Sequence, residues 1–148
     1  MQIKLSQAEY RTLLGVFEIA HWVLFAHHSD EPSDRKKYHD FEQKIFGYAE
    51  AFGFGNLVEY VDVHKKYFPT LEHEENSPVQ PFIDEFENHT FWEELVDRQA
   101  TRDMLRELGE EKIQVMDPRD RFMTHQDYER RYNQELEEHG LERLGIKG

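Results

Sequence analysis

The longest apolar run of the chain is residues 13–26, and only Glu18 and His21 interrupt it with ionisable side chains. A helix that is apolar on every side is normally buried inside a fold. Residues three apart lie on the same side of a helix, so Glu18 and His21 point in one direction. Because an isolated charge is costly in an apolar interior, these groups should be paired, neutralised or bound to a ligand. We therefore predict a central helix with a buried polar pair.

Composition indicates a single intracellular domain. The chain has 148 residues, which is close to the commonest domain size. It has no cysteine, which excludes disulfides and thiolate-based zinc sites and is typical of a reducing compartment. The apolar run is shorter than the ~20 residues that span a bilayer, and the N-terminus lacks the pattern of a secretory signal. We expect a cytoplasmic protein that does not bind membranes.

The charge of the chain argues against direct contact with nucleic acid. The formal net charge is −13 at pH 7, whereas binding to a phosphate backbone depends on lysine and arginine. The acidic excess is expected mainly to serve solubility. A basic protein partner, or a role as a mimic of nucleic acid, is the alternative.

Helix boundaries can be read from capping residues and glycines. Ser6 and Glu9 have the spacing of a capping box at the start of the first helix. Ser33 is the predicted cap of a second helix. Gly109 and Gly140 are predicted to end later helices, because glycine readily adopts the left-handed conformation found there.

Apolar periodicity predicts the helices between these boundaries. The second helix should bury a stripe at helical spacing, made of Tyr38, Phe41, Ile45, Tyr48 and Phe52. A third helix is predicted over residues 57–67, followed by helices near 78–87 and 91–108 that could be continuous. Residues 110–123 show no helical period and are predicted to be an irregular connector. Residues 124–140 should form a peripheral C-terminal helix.

These patterns predict an all-α fold without a substantial sheet. We expect one domain over residues 1–148, built as a bundle of five or six mostly antiparallel helices.

Glu18-x-x-His21 is the main candidate for chemistry. Its spacing is that of the Glu-x-x-His ligands in carboxylate-bridged metal bundles. Further ligands to a divalent metal could come from His64, on the apolar face of the predicted third helix, or from His89 and Glu93. The alternatives are a general acid–base pair, or a structural pair in which the two groups bond each other, a neighbouring side chain or a water.

Acidic pairs offer another metal-dependent alternative. All-α nucleotide pyrophosphatases bind Mg²⁺ through paired E-x-x-E and E-x-x-D motifs. Pairs with these spacings occur here as Glu72/Glu75, Glu59/Asp62 and Glu94/Asp97. Such pairs are common in a chain with 31 acidic residues, so the spacing alone carries little weight.

We interpret the chain as a small acidic protein-interaction module without enzymatic activity, and we expect a homodimer. The first helix has more apolar surface than a small bundle covers, and the last helix has too little to fold alone. The alternative is a metal-binding bundle or a metal-dependent hydrolase centred on Glu18 and His21.

Overall fold

The computed structural model describes residues 3–27 and 34–145. Of the residues that the structure describes, 67% are helical, which confirms the prediction of a mostly helical fold without a substantial sheet. The described residues form six helices and two strands, in the order α1 (Gln7–Phe25), α2 (Lys36–Phe46), β1 (Val58–Val61), β2 (Lys66–Pro69), α3 (Leu71–Glu75), α4 (Gln80–Leu108), α5 (Glu110–Val115) and α6 (Pro118–His139).

The chain divides into two compact units. We call Met1–Asp84 the N-terminal unit and Glu85–Gly148 the C-terminal unit. Helix α4 begins in the first unit and continues into the second. The expectation that residues 1–148 form a single domain stays a prediction.

Helix α1 begins where the capping box predicts. The Ser6 hydroxyl accepts the backbone N–H of Glu9 at 3.3 Å, and the Glu9 carboxylate accepts the backbone N–H of Ser6 at 2.8 Å. These reciprocal bonds satisfy two of the N–H groups that a helix N-terminus leaves without partners. Hydrogen bonding to the backbone of Ser6 also lowers the pKa of Glu9.

The prediction that α1 is buried on all sides is wrong. Its buried residues are Tyr10, Leu14 and Gly15, whereas Val16 and Val23 are 56% and 68% exposed. The core of the N-terminal unit covers one side of the helix. Its buried members are Tyr10, Leu14, Phe46, Ala49 and Val58. A unit of this size buries only part of its apolar surface, so apolar residues on the other side stay in solvent.

The predicted apolar stripe of α2 is buried only in part, since Ile45 and Phe52 pack against the core but other members do not. The structure ends α2 at Phe46, so Tyr48 no longer belongs to its helical stripe, and Tyr38 and Phe41 are exposed. The buried residues of α2 are Glu42 and Phe46. Apolar spacing could not identify this face, because a glutamate occupies one of its central positions. The predicted cap Ser33 lies outside the described residues.

The prediction of a third helix over residues 57–67 is also wrong. Strands β1 and β2 form an antiparallel hairpin in which Glu59 pairs with Phe68 and Tyr60 with Tyr67. Lys65, in the connecting turn, adopts a left-handed conformation with φ of 53°. Valine, tyrosine and phenylalanine favour extended structure, and here that preference prevails over spacing that also matches a helix.

Helix α4 is one continuous helix. It ends before Gly109, whose φ of 79° confirms the predicted stop.

Residues 110–123 are not an irregular connector, because α5 and the start of α6 lie there. Asp117 caps α6, its carboxylate accepting the backbone N–H of Arg119 at 2.9 Å. Helix α6 packs on its unit through Tyr128, which is 5% exposed and is the one buried residue of this helix, and its peripheral position stays a prediction. The core of the unit consists of Ala100, Met104, Ile113 and Tyr128.

Candidate functional site

The N-terminal unit contains a cavity of about 440 Å³, within the range of small-molecule sites. Its lining comes from α1, α2, β2, α3 and the start of α4. The apolar wall includes the rings of Trp22, Phe46, Tyr67 and Phe68. The polar lining includes three histidines and three glutamates, namely His21, His39, His73, Glu18, Glu42 and Glu74.

His21 of α1 pairs with Glu42 of α2. Its Nδ1 lies 3.0 Å from Oε1 and 3.2 Å from Oε2 of the carboxylate. Glu42 is almost buried, with 6% of its side chain exposed, whereas the side chain of His21 is 51% exposed. The hydrogen bond to Glu42 raises the pKa of His21 above its ordinary value, and partial desolvation opposes this effect.

His39 approaches the same carboxylate from α2 itself. Its Nδ1 is 3.8 Å from Oε2 of Glu42, and its side chain is only 15% exposed. The opposite nitrogen, Nε2, is buried and has no hydrogen-bond partner in the described part of the chain. Glu42 therefore lies between two imidazoles, and its burial is explained by these contacts.

His73 of α3 faces Glu18 of α1. Its Nε2 lies 3.2 Å from Oε2 of Glu18, and the two side chains are 5% and 21% exposed. Thr70 caps α3 by accepting the backbone N–H of His73 at 3.3 Å, which places this residue in the first turn of the helix. The contact between Nε2 of His73 and Oε2 of Glu18 is close enough for an ion pair but lacks the geometry of a hydrogen bond. Oε2 of Glu18 and Nδ1 of His73 therefore have no hydrogen-bond partner among the described residues.

The three cavity histidines share one arrangement. Each has one ring nitrogen next to a carboxylate, and in His39 and His73 the opposite nitrogen is buried without a hydrogen bond from any described residue. A neutral imidazole that directs its N–H towards a carboxylate presents a lone pair at the opposite nitrogen. The cavity is therefore rich in hydrogen-bond acceptors.

These acceptors are not arranged as a metal centre. Within the described residues, only Asp97, His125 and Glu129 bring three metal-ligating atoms within 4.8 Å of one another. Ligands of a tetrahedral zinc ion lie about 3.4 Å apart, as metal–ligand bonds of roughly 2.1 Å require. The imidazole and carboxylate atoms of the cavity are spaced too widely for three of them to hold one ion as they stand.

The structure places the residues proposed from sequence on several different elements. Glu18 and His21 line one cavity, but each pairs with another residue instead of with its neighbour on α1. His64 lies in the exposed turn of the hairpin, with its ring 5.7 Å from that of Phe68. His89 and Glu93 are exposed on α4 and belong to the C-terminal unit.

Sequence reasoning missed His39, Glu42 and His73. His39 and Glu42 are three residues apart, the same separation as Glu18 and His21, and that spacing was the available signal. His73 gave none, because its partner Glu18 is distant in sequence.

Of the three acidic pairs, Glu94/Asp97 lies on the long helix α4, as its spacing predicts, and the resemblance to pyrophosphatase motifs stays a prediction. Glu59 lies in β1 and Asp62 in the following turn, so the spacing does not place them on one helix face. Glu72 and Glu75 share α3, which has only five residues.

No known protein family matches this chain, and no curated protein or solved structure shows significant similarity to it. In the part of the chain that the structure describes, no helix combines the length and the apolar character that crossing a bilayer requires. Function is therefore inferred from the geometry of the site.

Proposed function

We propose that the cavity of the N-terminal unit binds a small organic cation, specifically a primary amine with an apolar body. The observation that carries this proposal is the set of acceptor atoms without partners among the cavity-lining side chains: Oε2 of Glu18, Nε2 of His39 and Nδ1 of His73. Leaving a buried polar atom without a hydrogen bond costs roughly 1–3 kcal/mol. An ammonium group donates three hydrogen bonds and accepts none, so it is complementary to such a site.

The walls of the cavity support the same ligand class. Trp22, Tyr67 and Phe68 offer aromatic faces, which attract cations and pack against apolar groups. Glu18 and Glu74 add carboxylates to the lining. The formal net charge of −13 also favours the approach of a cation.

The intrinsic fluorescence of Trp22 provides a direct test. The chain has two tryptophans, so a Trp92→Phe variant leaves Trp22 as the only emitter. We expect saturable changes in its emission with arylalkyl amines such as benzylamine, and binding at least about tenfold weaker with the matched alcohols. Trp22→Phe is the control, since emission from Trp92 should then stay constant.

Charge-removing variants locate the site. Glu18→Gln should weaken amine binding at least about tenfold, whereas Glu50→Gln, which changes an exposed glutamate outside the cavity lining, should leave the Kd unchanged. Far-UV circular dichroism checks that each variant is folded. Equal affinity for amines and alcohols, no response to any amine, or an unchanged Kd in Glu18→Gln would each overturn the proposal.

A second candidate function is self-association through α1. Val16, Ile19 and Val23 are spaced as residues on one helix face, and they are 56%, 38% and 68% exposed. Burying such a face against a second copy would remove apolar surface from water. Both candidates are binding functions, so no catalytic reaction is proposed, and the cytoplasmic location stays a prediction.

Sedimentation velocity tests this second function. We expect a dimer at micromolar concentration for the parent and a monomer for a Val16→Glu/Val23→Glu variant. Val63→Glu is the matched control, because Val63 is 88% exposed in the turn of the hairpin. A monomeric parent, or a charged variant that still dimerises, would exclude this surface.

A further inference from the structure

The C-terminal unit carries its own cluster of metal-ligating side chains. It joins Asp97 of α4 to His125 and Glu129 of α6, with one ligand atom from each residue within 4.8 Å of the other two. His125 and Glu129 are four residues apart and therefore share a helix face. Nε2 of His125 lies 3.5 Å from Oδ1 of Asp97, and its Nδ1 lies 3.6 Å from Oε1 of Glu129.

The two contacts involve opposite nitrogens of the imidazole ring, so one ion could bind His125 through only one of them. Hydrogen bonds from N–H to oxygen are typically 2.7–3.2 Å long, and both contacts of His125 exceed that range. Ligands of a tetrahedral zinc ion are about 3.4 Å apart. One ligand atom from each of the three residues lies within 4.8 Å of the other two, so side-chain rotations would bring one nitrogen and two oxygens to about this spacing.

The charge of the cluster is also uncompensated. Among the described residues, the only ion-pair partner of Asp97 and of Glu129 is His125. Nearby acids on the same helices are paired with arginine, as in Glu94 with Arg98 at 2.8 Å. Two carboxylates next to one imidazole leave net negative charge, which a divalent cation would neutralise.

A neighbouring hydroxyl orients the imidazole. Oγ1 of Thr101, one turn along α4 from Asp97, lies 3.0 Å from Nε2 of His125. In metal sites such a group bonds the ring nitrogen that does not bind the ion, so with Thr101 at Nε2 the nitrogen left for a metal is Nδ1, which faces Glu129. The side chain of Asp97 is 56% exposed, so an ion could enter and water could complete its coordination.

We propose that Asp97, His125 and Glu129 bind one divalent transition-metal ion of the zinc class, which links α4 to α6. One imidazole and two carboxylates form a ligand set that Zn²⁺ accepts in proteins. This site is separate from the amine cavity proposed above and does not depend on it.

The test uses the full chain without an affinity tag, freed of metal and titrated with Zn²⁺ by calorimetry and with Co²⁺ by visible absorption. We expect one saturable site with the d–d bands of an inner-sphere Co²⁺ complex. Asp97→Asn and His125→Gln should each weaken Zn²⁺ affinity at least about tenfold. Because Asp97 is largely exposed, Asp97→Asn keeps the test valid if His125→Gln folds poorly.

Two matched controls fix the location. The first is His89→Gln. Like His125, His89 lies on a helix of this unit and has a glutamate four residues later, but it does not belong to the three-ligand cluster found among the described residues. His73→Gln alters the most buried histidine of the cavity. Both should retain zinc affinity and the rise in Tm that binding to the native state produces.

Three results would overturn the proposal. They are no saturable binding of Zn²⁺ and Co²⁺, binding that Asp97→Asn leaves unchanged, and binding that is lost in His73→Gln but not in Asp97→Asn.

Discussion

The side-chain amide of Gln43 bonds both backbone hydrogen-bonding groups of Tyr67. Nε2 of Gln43 donates to the Tyr67 carbonyl at 2.9 Å, and its Oε1 accepts the Tyr67 N–H at 2.7 Å. Helix α2 is thereby attached to β2 by the pair of bonds that a neighbouring strand would otherwise provide. Both residues line the cavity of the N-terminal unit, so this contact helps to fix the shape of its wall.

Replacing Gln43 by leucine should lower the free energy of unfolding by about 1–3 kcal/mol, because two partly buried backbone groups would lose their partners. Urea unfolding followed by circular dichroism measures this change. Gln80→Leu is the control, since Gln80 is exposed and its one hydrogen bond with a described side chain is to Asp84 on its own helix. A loss in Gln43→Leu no larger than in the control would show that water replaces the amide.

The His21–Glu42 pair should make stability depend on pH near neutrality. The pKa of His21 is raised above 6.5, chiefly by its hydrogen bond to Glu42. The folded state then binds the proton more tightly, so the stabilisation is full below pH 6.5 and is lost as pH rises through the folded-state pKa. The side chain is half exposed, so the contribution should stay below about 1 kcal/mol.

NMR titration of the histidines checks this prediction directly. Glu42→Gln should return the pKa of His21 towards 6.5, and His21→Gln should remove the pH dependence of stability in this range. His64→Gln, which alters an exposed turn residue, should leave the pH dependence of stability unchanged. A His21 pKa that is the same in parent and Glu42→Gln would contradict the pairing.

Gly15 is enclosed on the buried side of α1. A Cβ atom at this position would lie 2.9 Å from Cγ1 of Val79, closer than real contacts allow. Alanine improves helix propensity by about 0.5–1 kcal/mol, but overpacking against a stiff β-branched side chain costs roughly 1–3 kcal/mol. We expect Gly15→Ala to lower the free energy of unfolding by about 1 kcal/mol.

A double-mutant cycle isolates this clash. Adding Val79→Ala should make Gly15→Ala neutral or stabilising, because the methyl group that opposes the new Cβ is removed. The free energies come from urea unfolding of the four proteins. Additive effects of the two substitutions would mean that the cost of Gly15→Ala arises elsewhere.

Asp103 should contribute to the acid stability of the C-terminal unit. A hydrogen bond from Arg102, and a further one from the hydroxyl of Tyr132, lower the pKa of Asp103 from 3.8 to about 2. A lowered folded-state pKa gives stability that is present above pH 3.8 and is lost as pH falls towards 2. Asp103→Asn should remove the loss of stability that protonation of Asp103 causes as pH falls.

Urea unfolding at pH 5 and at pH 3 measures how much free energy of unfolding each protein loses between the two pH values. Asp127→Asn is the matched control, because Asp127 forms an exposed pair with Arg130 on α6. Asp127→Asn should retain the pH dependence of the parent. An equal loss of stability between the two pH values in Asp103→Asn and in the parent would exclude the proposed role of Asp103.

Short-range signals predicted much of the helical framework. The Ser6–Glu9 box and the stops at Gly109 and Gly140 were correct, because capping depends on residues adjacent in sequence. The hairpin was missed because its apolar residues satisfied a helical period as well, and only pairing between β1 and β2 resolves that ambiguity.

The candidate site shows the same division. The sequence by itself determined that Glu18 and His21 lie on one side of α1, since helix geometry fixes residues three apart. Only the tertiary structure decided their partners, Glu42 of α2 and His73 of α3. Those pairings depend on how separate elements pack around the cavity, and no local pattern encodes the distance between residues remote in sequence. The tertiary structure also decided how much of α1 is buried, because the amount of core available to cover a helix is a property of the whole unit.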